Sequence, residues 1–113
     1  MGLKTKVINV TLDGSSGYGE AILKIDSGIV EKCALFALNT PEGIVNVKIE
    51  DANNNEELHP FVTYKEFQPT NGNHYDSRKD IHFDGNRTVK VVAQSAKPLR
   101  EDFVFQMMFY LNQ

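Results

Sequence analysis

Two His-x-Asp pairs, His74-Tyr-Asp76 and His82-Phe-Asp84, come nearest to a chemical site in this chain. On an extended strand, residues i and i+2 share a face, so each pair would set an imidazole beside a carboxylate. A 2-His-1-carboxylate iron site begins this way and is completed by a second histidine from a distant strand. That histidine is missing: His59 precedes both pairs, and none follows His82. The expectation is therefore that His82 and Asp84 lie on a solvent face opposite Ile81 and Phe83, with no metal and no cofactor.

Other motifs fail at identifiable positions. Gly14-Ser-Ser-Gly-Tyr-Gly19 suggests a phosphate cradle, but Glu20 and Ala21 follow where a P-loop needs Lys and Ser/Thr, and Glu20 would repel phosphate. It reads as a hairpin loop. Asp51, Asn53 and Asn55 reproduce the first alternating oxygen donors of a calcium loop. Glu56 then stands where the turn needs glycine, and Val62 where the bidentate glutamate belongs. An Asn-rich turn is the better reading, because Asn tolerates left-handed backbone angles. Ser15 and Ser16 lack a Gly-x-Ser-x-Gly elbow. The sole cysteine, Cys33, sits in the apolar run 33–38 and reads as a small buried hydrophobe. With no catalytic constellation, the expectation is a protein that is not an enzyme.

The elements that would carry these residues are strands. Apolar and polar residues alternate over Ile8–Leu12, Ala21–Ile25, Val45–Ile49, Asp80–Asp84 and Arg87–Gln94, and turn residues punctuate the runs. Phe61–Phe67 reads as a further strand with Pro60 at its start, where a missing N–H is tolerable. Gly85-Asn86 is the strongest hairpin signal. Segment 29–38 fits either a buried strand or a short helix, and its strand neighbours favour the strand. About eight short strands without a confident helix predict an all-β, single-domain antiparallel sandwich over residues 1–113, with the jelly roll among its possible forms.

Composition sets the function classes. At 113 residues, with 41% hydrophobic residues, the chain can bury a core without disulfides or metal. A formal charge of −3 argues against nucleic acid. No stretch is long enough to span a bilayer, and Met1–Lys6 lacks a signal-peptide hydrophobic segment. Cytoplasmic synthesis is expected, with incorporation into a virion as one destination.

The last run, Phe103–Leu111, is apolar on both faces: Phe103, Phe105, Met107, Phe109 and Leu111 on one, Val104, Met108 and Tyr110 on the other, with Gln106 in the middle of the second. Half-buried antiparallel strands normally alternate apolar with polar, so something should cover the second face. Segment 29–38, loop 68–79 or a neighbouring subunit would serve. The expectation drawn is a structural, self-associating subunit that uses Val104, Gln106, Met108 and Tyr110, a trimer or larger or a contact with other structural subunits. By analogy of architecture, it would be a virus or phage particle component such as a capsid decoration, head-fibre or tail protein. The alternative is a carbohydrate- or ligand-binding sandwich with Tyr18 and Tyr75 as stacking residues; a cupin-like metal-dependent enzyme comes third.

Overall fold

The computed structural model describes residues 3–68 and 79–112. It contains eight strands, β1 (Leu3–Leu12), β2 (Tyr18–Ile25), β3 (Ile29–Ala37), β4 (Val45–Asp51), β5 (Glu57–Thr63), β6 (Lys79–Asp84), β7 (Arg87–Ser95) and β8 (Phe103–Asn112), and one 3-10 turn, Tyr64–Phe67. They form two four-stranded sheets packed face to face: sheet A in the order β1-β8-β3-β6 and sheet B in the order β2-β7-β4-β5, with every pairing antiparallel. The protein is an all-β sandwich, as its alternating pattern predicts.

The core forms where the apolar halves of these alternations meet. Sheet A contributes Val10, Leu12, Val30, Leu35, Phe83, Phe105 and Phe109, and sheet B contributes Ile25, Val45, Val47, Ile49, Val89 and Val91. Fully burying one such side chain is worth about 1.5–3 kcal/mol. The inner face of β8 is buried throughout, and Phe83 and Phe109 meet edge-on at 6.1 Å between ring centroids. The apolar set Phe103 to Leu111 is thus the central rib of the core.

Only β4 and β5 are consecutive strands that pair with each other as a hairpin; the other connections carry the chain from one sheet to the other. The expected hairpins at Gly14–Gly19 and Gly85-Asn86 are therefore corners. β1 and β2 share only a single bridge, Asp13 to Tyr18. β6 pairs with β3, whereas β7 pairs with β2 and β4. The corner at Gly85-Asn86 is fixed from outside: Gly85 N–H donates to the Gly28 carbonyl at 2.7 Å and Asn86 N–H to the Asp26 carbonyl at 2.8 Å. Turn residues mark a reversal of the chain, but not which strand it returns to.

Two further local differences have physical causes. Segment 29–38 is a strand, as favoured, but its register shifts between Val30 and Lys32. Val30 and Cys33 both point inward, which a regular two-residue repeat forbids and a bulge allows. The expected strand Phe61–Phe67 instead ends at Thr63 and closes in the 3-10 turn, whose three-residue repeat puts Tyr64 and Phe67 together in the core. β5 in turn begins earlier, at Glu57, and carries Pro60 in its middle. It lies at the edge of sheet B, where a missing N–H is tolerated.

Candidate interaction surface

The register fixes which residues share the outer face of sheet A. β8 lies between β1 and β3, so each outward residue of β8 heads a row across three strands. Val7–Met108–Ala34 and Asn9–Gln106–Phe36 form the middle rows. Thr11–Val104 forms the row beyond them, extended by Leu38, whose N–H donates to the Val104 carbonyl at 2.9 Å. Thr5–Tyr110–Lys32 closes the other end. Across these four rows Lys32 is the only charged residue, and it ion-pairs with Asp80.

The outer face of sheet B differs. Glu20, Lys24, Lys48, Glu50 and Lys90 all lie on it, and Glu50 is buried beneath a network in which Lys90 Nζ reaches Oε1 at 3.1 Å and Lys48 Nζ reaches Oε2 at 3.2 Å. Burial opposes the charge of Glu50, but hydrogen bonds and charge from Lys90 and Lys48 outweigh it and hold the carboxyl below its ordinary value. Sheet B therefore carries an ion-paired solvent face. The outer face of sheet A is uncharged over its middle rows, with Val7 at 45% and Leu38 at 60% exposure while Ala34 is fully buried, and its charges, Lys32 and the exposed Asp80 and Asp84 of edge strand β6, lie toward the margin.

Val104, Gln106, Met108 and Tyr110 do share one face of β8, but unequally. Val104, Gln106 and Met108 are half-buried, whereas Tyr110 is only 9% exposed within the chain and has little further surface to offer. Among the described residues the Gln106 amide has no hydrogen-bond partner. Segment 29–38 does not cover this face: it is β3, adjacent to β8 in the same sheet, and it widens the face with Ala34, Phe36 and Leu38. Most of loop 68–79 lies outside the described residues. Val7, Phe36 and Leu38 were missed in the sequence because each belongs to this surface only through its cross-strand partner.

The remaining candidates separate. Tyr18 stands on the opposite sheet, 42% exposed, and its hydroxyl donates to Glu20 Oε1 at 2.7 Å. That bond, with burial and the nearby carboxylates, pushes its phenol up to about 12. Tyr75, with His74 and Asp76, lies outside the described residues. His82 and Asp84 are exposed along β6, opposite the buried Ile81 and Phe83, as expected. Among the described residues, no three His, Cys, Asp or Glu side chains converge as metal ligands would. Cys33 is buried, and desolvation pushes its thiol up to about 12. Asp51 is committed to its turn, accepting from Asn53 N–H at 2.8 Å, and Asn55 takes the left-handed backbone with φ of 60°. Ser15 donates to Asp13 at 2.9 Å. Among the described residues no helix is long and apolar enough to cross a membrane.

No family model and no curated protein matches the chain. Solved structures do, at low identity. A chain of the cyanophage Pam1 capsid asymmetric unit is similar at 16% identity and TM-score 0.52, over 97% of this chain and 85% of that one. A protein of the disulfide-linked pili of Bacillus endospore appendages is similar at 13% identity and TM-score 0.47, over 97% and 86%. The CBM36-1 domain of a xylanase from the hindgut metagenome of Trinervitermes trinervoides is similar at 11% identity and TM-score 0.49, over 97% and 98%. At these identities the likeness concerns the fold.

Proposed function

We propose that this protein is a non-enzymatic structural subunit that self-associates through the outer face of sheet A, as a trimer or larger. The observation that carries this reading is the contrast between the two outer faces. Sheet B is laced with ion pairs, as a wetted face is, whereas rows Val7–Met108–Ala34 and Asn9–Gln106–Phe36 are uncharged, and depletion of charge marks the centre of protein interfaces. Val7, Leu38, Val104 and Met108 supply the surface still available for burial; each is already partly buried, so each would add only a part, about 60% or less, of the roughly 1.5–3 kcal/mol for burying a fully exposed side chain. Association costs are of similar size, so Gln106 should find its amide partner across the contact.

The strand orders β1-β8-β3-β6 and β2-β7-β4-β5 support a jelly-roll reading of the sandwich, an architecture common in capsid proteins. Within the assembly class, a virus or phage particle component (capsid decoration, head fibre or tail) is the reading that architecture favours. Fold alone does not fix function, and the proposal stands on the surface.

Light scattering on the full chain tests it. The wild type should run as a trimer or larger, and Val7→Lys combined with Leu38→Lys should give a folded monomer. Both positions are substantially exposed, so the change spares the core. A monomeric wild type across micromolar concentrations would remove the assembly reading.

A further inference from the structure

Sheet B carries a second arrangement on the opposite side of the molecule. Tyr18 pairs with Gln94, Gln94 with Asn46, and Asn46 with Thr63, so one continuous row crosses all four strands. Its side chains are an aromatic ring, two primary amides and a hydroxyl, all facing outward beside the buried Gly19, Ala93, Val45 and Val47. The row spans about 14 Å at an interstrand spacing of about 4.8 Å, the length of about three linked pyranose rings. Phe61, 38% exposed, lies on the same face of β5, one row along from Thr63, so a second ring stands diagonally across the platform from Tyr18.

Within this row the Tyr18 hydroxyl is engaged by Glu20 and the Thr63 hydroxyl accepts from Lys65 N–H at 3.4 Å, so the free hydrogen-bonding capacity lies in the two central amides. Among the described residues neither the Gln94 nor the Asn46 amide takes part in a hydrogen bond. Each amide offers two donors and an acceptor, the set that matches adjacent sugar hydroxyls. The Tyr18 phenol is tethered to Glu20 two residues along β2, and its side chain remains 42% exposed. Of the neighbouring charges, Lys48 and Lys90 both bind Glu50, Glu20 accepts from the Tyr18 hydroxyl, and Lys48 Nζ also lies 5.0 Å from the Phe61 ring centroid. A face that is polar, uncharged along its working row and flanked by rings suits a neutral, hydroxyl-rich chain better than an anion or an apolar peptide.

We propose that the outer face of sheet B binds a neutral oligosaccharide along the row Tyr18–Gln94–Asn46–Thr63, with Phe61 as a second stacking surface. The site lies on the sheet opposite the assembly face, so either reading can fail without the other. If both hold, an oligomer would present several such rows together and gain avidity.

The test is an NMR titration of the isotope-labelled full chain with cellotriose, maltotriose and triacetylchitotriose, each at millimolar concentration. At least one should shift the side-chain amide signals of Gln94 and Asn46, and Tyr18→Ala or Gln94→Ala should weaken that binding by about tenfold or more. Phe61→Ala should weaken it less. Tyr18 and Gln94 are exposed, so thermal melts of their variants should match the wild type. The proposal is overturned if none of the three sugars moves these amides, if the shifts map instead to the cleft lined by Ile44, Ala96, Pro98 and Leu99, if Tyr18→Ala binds as tightly as wild type, or if an acidic trisaccharide binds more tightly than every neutral one.

Discussion

Asn39 Oδ1 accepts the backbone N–H of Val104 at 2.9 Å, while Asn39 Nδ2 donates to the Asp102 carbonyl at 2.9 Å. One side chain thereby continues the ladder between β3 and β8 after β3 has ended, and it fixes where the central strand of sheet A enters. Asn39 is the residue that makes Val104 the first member of the outward-facing set.

Replacing this clamp should loosen the entry of β8. Asn39→Ala removes two bonds to a partly buried backbone and should destabilise by about 1–3 kcal/mol, lowering the melting temperature by several degrees. Asn39→Asp keeps the acceptor for Val104 but sets an oxygen against the Asp102 carbonyl, so it should be no better than alanine. Thermal unfolding of both variants measures this; an aspartate variant as stable as wild type would show that only the Val104 bond matters.

The Glu50 network makes a prediction about pH. Its carboxyl is held below the ordinary value of 4.5, so the folded state keeps it ionised where the unfolded chain would bind a proton. That contribution is complete above about pH 4.5 and is lost as the pH falls through the lowered folded value. Urea midpoints should therefore decline on acidification below this point, and more steeply in wild type than in Glu50→Gln. The glutamine variant should be less stable at neutral pH, because Lys48 and Lys90 would lose their shared counter-ion. Parallel midpoint curves for the two proteins would show that Glu50 does not set the acid limit.

Much of this fold was legible because burial imposes a period of two. Ile81 and Phe83 inside with His82 and Asp84 outside, and Val45, Val47 and Ile49 inside, follow directly from alternation. Legibility failed where the period broke. At Val30 and Cys33 the bulge produces a three-residue spacing that imitates a helix, and Tyr64 and Phe67 owe theirs to a 3-10 turn. It failed again where partners are chosen at long range: nothing local in Gly85-Asn86 says that the next strand joins the other sheet. The site followed the same rule. Val104, Gln106 and Met108 could be read from one strand, but Val7, Ala34 and Leu38 join them only through pairing. Tyr110, which the strand pattern places on that surface, is already buried by the fold.

The two turns at Asp26–Gly28 and Gly85-Asn86 hold each other so closely that Gly85 has no room for a side chain. A Cβ on Gly85 would fall inside the van der Waals envelope of the Asp26 carbonyl oxygen, with the Gly28 carbonyl 3.1 Å away on another side. Both obstacles are backbone, so no rotamer change can relieve them, and the Gly85 N–H that binds Gly28 would be displaced with them. Gly85→Ala should therefore cost about 3 kcal/mol or more, at the high end for a single substitution. Gly43 supplies the control. Its added Cβ would meet only Leu99 Cδ2 at 3.4 Å, an ordinary contact with a movable side chain. Gly43→Ala should then be neutral or stabilise by about 0.4–1 kcal/mol through the unfolded chain. Denaturant midpoints of the two variants should move in opposite directions or differ by several-fold in size. Equal, small losses at both positions would show that the Gly85 corner can open without disturbing the sandwich.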